Sequence, residues 1–582
     1  MWRGAGGGGY NQAIVGTSRI RPFLPLALAG LLALPGPGPA AAQDRPRPEG
    51  GGLDVDLPEP LTEAQRKEAM KIFEEAKRLL EKNAYSAARK KFHRFLDDYP
   101  GMDPELVEEA EDRSGENCLV GIELQHESGP PEKRIDIELM GDGYSLRKFN
   151  RFPVDARNQM KEFWKEPLYD EYQNYFNVWR FDLISAEEGV DEMSMEERMG
   201  APEKEPEEDR PGRRNRGPRK YSTALNCKAL GGGGQVWADP DMVMKWRKYF
   251  PQGDGLTIAF ARKGQLGMGG GGIATTGRRV AVVHEFGHAF IGLLDEYANN
   301  PGAPMGGFGG GMGMFGRAPN AAPADPDDPR KEPSWDMVPW RHWLELRNSP
   351  VGLSLGGATY QIGVFKPTSS CSMNSGSDPY CVVCREAGVL RIYSYINPIE
   401  ESGPSADIIT LVPGEKREFF VQPMQPMKHN LDVEWYLEML PAGAVTAGPD
   451  LAPDYREYGE SFVRDERAAG RWKVDGDRAF ARRQNPLPEG PPPGEVLKAK
   501  TRKAGKRGFQ SVPDIPDLAP GAWKLTARVR DGTKVPGSKH PWVIKDTARI
   551  LEERRTWTLE VRGAPEPAPV PAPETDPPDS PK

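Results

Sequence analysis

The chain has 582 residues, of which 66 are Gly and 58 are Pro, about a fifth of the whole against the roughly 12% of an average soluble protein. A single all-helical body is excluded, and the surplus belongs in linkers and insertions outside any packed core. Lys and Arg number 77 against 85 Asp and Glu, a net charge of −8, which argues against nucleic acid as a partner because phosphate-backbone binding needs a basic surface. The 13 Trp, 17 Tyr and 21 Phe are too many for a disordered chain.

Arg3, Arg19 and Arg21 precede an apolar run from Phe23 to Leu34, followed by Ala40, Ala41 and Ala42. This predicts a signal peptide over 1–42, cleaved near Ala42, since about 12 apolar residues fall short of the roughly 18 needed to cross a bilayer. No later segment is apolar enough to span, so the mature chain is expected outside the cytoplasm: secreted, periplasmic or at the cell surface. After a linker over 43–60, Ala69, Ile72, Phe73, Ala76, Leu79 and Leu80, then Tyr85, Ala88, Phe92, Phe95 and Leu96, carry helical spacing. They predict a helical hairpin over 61–110 that must pack on its neighbour, because one such unit cannot bury its own face.

From 118 to 397 short strands and helices alternate. Strands are expected over Ile135–Leu139, Tyr175–Ile184 and Gly255–Ala261, and a helix over Val154–Trp164, giving an α+β body. Two stretches, 199–220 and 300–333, read as solvated insertions. Beyond Pro404, β patterning at Ile408–Leu411, Arg417–Val421, Leu431–Leu437, Trp523–Val529 and Thr556–Val561 predicts an immunoglobulin-like β-sandwich over 404–562, with Trp435 as its buried Trp. The Pro-rich stretch Leu487–Lys506 and the tail 563–582 are not expected to fold alone.

The strongest chemical signal is His284-Glu285-Phe286-Gly287-His288, in a chain with seven His. On a helix, residues four apart stack on one face, so both imidazoles can hold one zinc while Glu285 reaches a water on it. Catalytic zinc needs a third protein ligand, and Asp295 is the first candidate, Glu296 the second. On an unbroken helix Asp295 would lie about 16 Å along the axis from His284, so the helix must break, and Gly292 is placed for a left-handed cap that folds the chain back. The spacing departs from the pattern HExxHxxGxxH: Ile291 occupies the Gly position and Gly292 comes one later. Cys381 and Cys384 form a CxxC, but one such pair supplies only two ligands. A disulfide from Cys371 to Cys381 or Cys384 is the preferred reading, with Cys118 and Cys227 isolated.

The run HEFGHAFIGLLDEY resembles the active-site signature of the immunoglobulin-A-cleaving family of secreted zinc metallopeptidases. LMGDGYS at 139–145, EPLYDEYQNYFNVWRFDLISAEEGVD at 166–191, GMGGGGIATT at 267–276 and CSMNSGSDPYCVVC at 371–384 are similar to further blocks of that family, so the resemblance covers about 118–396. It implies a metzincin-like zincin body, one catalytic Zn²⁺ on His284, His288 and Asp295, Glu285 as general base, and Met373 as a methionine turn beneath the site. The glycines 267–272 would border an edge strand along the cleft or form a loop. Tyr297 and Tyr380 are candidate donors to the oxyanion, while His93, His126, His342, His429 and His540 lack ligand spacing. The expected function is a secreted zinc endopeptidase acting on a protein or peptide substrate, with surface binding through the sandwich. The alternatives are a protein that mainly binds through its sandwich and hairpin, and a zinc amidase acting on a non-protein amide such as cell-wall peptide.

Overall fold

The computed structural model describes residues 61–193, 219–230, 235–264, 266–277, 281–304, 318–441, 487–504 and 508–563. The signal segment, the linker, most of the first insertion and the tail beyond 563 lie outside the described residues. The architecture is mixed α+β.

The amino-terminal helices are Glu63–Glu81, opened by a reciprocal cap between Thr62 and Gln65, and Tyr85–Asp98. Phe73 meets Phe92 and Phe95 with ring centroids 5.5 and 5.1 Å apart. A third helix, Pro104–Ser114, and the strand residues Val120 and Ile184 complete the apolar cluster. The hairpin thus obtains the partner that its exposed apolar face demanded.

The central sheet draws on β1 (Cys118–His126), β2 (Ile135–Asp142) and β3 (Phe176–Ile184). A small separate sheet holds β4 (Asp191–Met193), β5 (Lys228–Leu230) and β6 (Val236–Trp237), and the central one resumes with β7 (Leu256–Ala261), β8 (Met268–Gly270) and β9 (Ile273–Thr276). Its order is β1-β3-β2-β7-β9-β8, with β3, β2, β7 and β9 parallel and the two outer strands antiparallel to their neighbours. β2 is buried along its whole length. Ile135, Ile137 and Leu139 face the core that carries the histidine helix. Of the buried acids between them, Glu138 accepts from Arg247 Nε at 2.7 Å, and Asp136 Oδ1 accepts from Trp179 Nε1 at 2.7 Å and Asn177 Nδ2 at 3.0 Å.

A further sheet of β10 (Ala298–Asn300), β11 (Ala322–Pro323), β12 (Ser354–Gly357) and β13 (Thr359–Lys366) follows the site. This corrects the expectation for 300–333. Residues 305–317 lie outside the described residues, but Ala318, Asn320, Ala321, Ala322 and Ala324 are buried and β11 pairs with β13. Small alanines let this backbone approach closely, and Asn320 supplies amide hydrogen bonds that a solvated loop would take from water.

The carboxy-terminal strands are β14 (Ile399–Gly403), β15 (Ile408–Leu411), β16 (Phe420–Pro423), β17 (Asp432–Met439), β18 (Glu495–Leu497), β19 (Ala499–Ala504), β20 (Gly508–Pro513), β21 (Gly521–Arg530) and β22 (Glu552–Val561). They form two sheets, β14-β16-β20-β19 and β15-β22-β21-β17-β18. Trp435 stacks on Trp557 with centroids 5.7 Å apart and donates from Nε1 to Ser511 Oγ at 3.0 Å across the gap between the sheets. The β region begins at Ile399, before Pro404, and the Lys- and Pro-rich stretch contributes β18 and β19.

The connection from β21 to β22, residues 531–551, leaves these sheets. Val535, Trp542, Val543, Ile550 and Leu551 join the same apolar cluster as Ile137, Phe286 and Ile392. At its root, Asp531 accepts hydrogen bonds from Tyr172 (2.8 Å), Tyr393 (2.7 Å) and His429 Nε2 (2.8 Å), while His429 Nδ1 bonds Glu171 at 2.8 Å. Ionised carboxylates only accept, so both ring nitrogens donate and the imidazole is charged. Burial pushes the His429 pKa down, but Asp531 and Glu171 outweigh it and hold it at about 9.

A histidine raised in this way stabilises the fold fully below its unfolded pKa of about 6.5, and the stabilisation is lost as pH rises through about 9. His429→Gln should therefore cost on the order of 2–3 kcal/mol near pH 6, with parent and variant melting temperatures converging at alkaline pH. A gap that stays constant across that range would refute the buried imidazolium.

Candidate metal centre

The site helix runs from Ala281 to Phe286 and continues as one π turn, Gly287–Ile291. Phe286, Ala289 and Phe290 anchor it in the core, Phe286 meeting Phe163 at 5.2 Å between ring centroids. It ends at Gly292, whose backbone is left-handed with φ 79° and ψ 30°, a conformation that a Cβ would strain. Carbonyl oxygen Gly287 O accepts the amides of both Gly292 and Leu293, and from there the chain turns back along the helix.

That reversal brings Asp295 to the histidines. Asp295 Oδ1 lies 3.0 Å from His284 Nε2 and 3.2 Å from His288 Nε2, and the two Nε2 atoms are 3.2 Å apart. A tetrahedral zinc with bonds of about 2.0–2.1 Å sets its donor atoms about 3.3 Å apart, so this donor set fits one ion. The other ring nitrogens face backbone carbonyls, His284 Nδ1 to Ser372 O at 2.9 Å and His288 Nδ1 to Leu293 O at 2.6 Å. A carbonyl can only accept, so both Nδ1 atoms carry hydrogen and both Nε2 lone pairs point at the shared centre.

The electrostatics agree. Burial raises the Asp295 carboxyl, but hydrogen bonds from His284 and His288 hold it well below the usual carboxylate range. Burial lowers His284, yet Asp295 and Glu285 outweigh it and lift it to about 9. The centre thus favours positive charge. Burial pushes Glu285 up to about 7.

Glu296, the second candidate for the third ligand, points elsewhere. Its amide donates to Met373 O at 2.7 Å, while its carboxylate meets Asn320 Nδ2 at 3.0 Å and Cys384 Sγ at 3.2 Å. Met373 is buried under the helix in the short turn Ser372–Ser375. Gly287 has no room for a side chain, since a Cβ would stand 2.7 Å from Tyr380 Oη and 2.9 Å from Met373 Sδ. Tyr380, considered as an oxyanion donor, is buried and donates to Val283 O at 2.5 Å, so it is structural. Tyr297 lies nearer, its ring parallel to His284 at 6.3 Å.

The expected disulfide is not formed. Cys371, Cys381 and Cys384 are free thiols beside Glu296, with Cys371 Sγ 3.7 Å from Cys384 Sγ. Cys118 and Cys227 are buried and apart. Sequence reasoning missed the carbonyls of Ser372 and Leu293, the amide of Asn320, and Lys366, whose ammonium donates to Glu296 O and Asn374 Oδ1. Backbone partners leave no signature in side-chain identity, whereas the buried Ala-Asn-Ala run could have flagged Asn320.

β8 is the outermost strand of the central sheet and lies directly on the site helix. A Cβ on Gly269 would meet Glu285 O at 2.1 Å, whereas one on Gly270 would meet nothing within 4 Å. Gly269→Ala should therefore destabilise the protein by about 2–3 kcal/mol and weaken metal retention, against less than about 0.5 kcal/mol for Gly270→Ala. Denaturant unfolding of the two variants checks the contrast.

Residues 122–200 match the family model described as IgA Peptidase M64. The matched stretch spans most of β1 and all of β2, β3 and β4, that is three strands of the central sheet and one of the small separate sheet. No curated protein matches the chain. Peptidase is the activity this family supports, and His284, His288 and Asp295 form a candidate ligand group for the metal ion such an enzyme uses. Residues 122–200 are thus similar to the IgA Peptidase M64 family, the type that the site motifs further along the chain also resemble.

Proposed function

We propose that the protein is an exported zinc endopeptidase in which His284, His288 and Asp295 hold the ion and Glu285 is the general base. The observation that carries this reading is the convergence of three donor atoms at 3.0–3.2 Å with both Nδ1 positions committed to carbonyls. A zinc ion there would polarise the scissile carbonyl and acidify a water molecule. Glu285, buried on the same helix turn with a pKa near 7, takes the proton from the attacking water and returns it to the leaving amine. Tyr297, whose ring lies parallel to that of His284 and whose hydroxyl bonds Asp295, is the donor to the substrate oxygen in this reading. An extended substrate adds along β8, pairing by its backbone with the outermost strand.

The finer fold assignments belong to the same reading. A mostly parallel sheet with an antiparallel outer strand over the site helix, together with Met373 below it, supports a metzincin-like zincin body. Two facing sheets around Trp435 and Trp557 support an immunoglobulin-like accessory module. Export rests on the arginines, the apolar run and the alanines up to Ala42. Among the described residues no helix is long and apolar enough to cross a membrane.

Casein or a denatured protein should be cleaved by the purified chain, with activity lost on chelation and restored by zinc. Glu285→Gln should lower kcat by about 10²–10⁴ while zinc stays bound, and Asp295→Asn should release the metal from the histidine centre. Undiminished turnover by Glu285→Gln would remove the general base, and bound zinc with no cleavage across a broad peptide library would overturn the endopeptidase reading.

A further inference from the structure

On the far side of the Asp295–Glu296 step lies a second cluster that the peptidase chemistry does not use. The ligand atoms of Glu296, Cys371, Cys381 and Cys384 all lie within 4.8 Å of one another. Cys371 Sγ and Cys384 Sγ are 3.7 Å apart, and Cys384 Sγ is 3.2 Å from Glu296 Oε1. Zinc bonded to two thiolates at about 2.3 Å holds them about 3.8 Å apart at the tetrahedral angle, whereas bonded sulfurs sit about 2 Å apart. Glu296 is 1% exposed, and its Oε2 has no hydrogen-bond partner, an arrangement that disfavours the buried carboxylate unless a cation engages it.

Helix polarity and positive charge gather at the cluster. Cys381 caps the helix Val382–Tyr395 and Cys384 lies in its first turn, where the helix dipole favours negative charge. The amide of Cys381 reaches Cys371 Sγ at 3.4 Å. Lys366 and Arg385 stand within electrostatic reach of Cys371 and Cys381 respectively, placing positive charge beside a site that would carry three thiolates and a carboxylate. A single disulfide among the three cysteines would leave one thiol unengaged and Glu296 Oε2 still without a partner, while one divalent ion engages all four groups.

We propose that Glu296, Cys371, Cys381 and Cys384 bind a second, structural zinc ion. With four protein donors its coordination is closed, so it holds no substrate and activates no water. Its role is to fasten three pieces that meet at the catalytic centre: the returning segment through Glu296, the Met373 turn through Cys371, and the helix Val382–Tyr395 through Cys381 and Cys384. The inference does not depend on the peptidase reading, because it concerns donors that face away from the histidines.

The test is metal content and cobalt spectroscopy on the full purified chain. The parent should hold about two zinc ions per chain, and both the His284→Ala/His288→Ala and the Cys381→Ser/Cys384→Ser variants about one. Cobalt substituted into the parent and the histidine variant should give a thiolate-to-cobalt charge-transfer band and strong tetrahedral visible bands. The charge-transfer band should vanish in the cysteine variant. After denaturation in chelator without reductant, all five cysteines should titrate as thiols. About one zinc per chain with no charge-transfer band, or a chain that titrates two thiols short, would overturn the proposal and favour a disulfide. Should the cysteine variant fail to fold, the parent and the histidine variant decide the matter. Failure of proteolysis with both ions bound would count against the peptidase reading alone.

Discussion

Everything at the candidate centre depends on one backbone reversal. Two histidines on a helix can approach a single ion without help, but the carboxylate that completes the set lies seven residues beyond the second of them, and only a left-handed turn at Gly292 returns it. The π turn before that glycine tightens the geometry, because one carbonyl, Gly287 O, accepts two amides and closes the end of the helix. Leu293 then lends its own carbonyl to His288. The turn that recovers the third ligand therefore also fixes the orientation of the second.

The surrounding structure supports that reversal from every side. β8 presses on the upper face of the helix where Gly269 has no side chain, and Met373 and Tyr380 fill the lower face against Gly287. Past the turn, Glu296 N is tied to Met373 O, and Ala358 N to Asp295 O at 2.6 Å. Consecutive residues of an extended chain point to opposite sides. Asp295 and Glu296 accordingly face two different clusters, one of imidazoles and one of thiols.

Local features of the site were legible in the sequence because they rest on local rules. Helical spacing placed His284 and His288 together, the length of an unbroken helix required a break, and Gly292 was the residue able to make it. The strands β2, β3 and β7 were equally visible in their runs of apolar and β-branched residues. What escaped depended on distant parts of the chain. The order of Asp295 over Glu296 depends on which cluster each side chain meets, and the thiols of that second cluster belong to a segment some 75 residues downstream. The buried run at 318–324 looked like loop because its alanines and prolines carry little hydrophobic weight, although burial there comes from close backbone approach. β14 was missed because Ile399–Gly403 is short and half polar, and pairs only once β16 exists.

The excursion between β21 and β22 bears on how the molecule comes into being. The apolar cluster around the site helix takes its first members from Ile135 and its last from Leu551, so the core closes only when nearly the whole chain is present. Contacts so far apart in sequence slow folding, since a long loop must be ordered before they form. A chain stopped at the end of the helix Val382–Tyr395 would keep every residue of the histidine centre and still lack Trp542, Ile550 and Leu551 from the wall behind it. The connection between β21 and β22 thus supplies the last wall of the core behind the candidate centre, although the sheets it springs from keep an apolar cluster of their own.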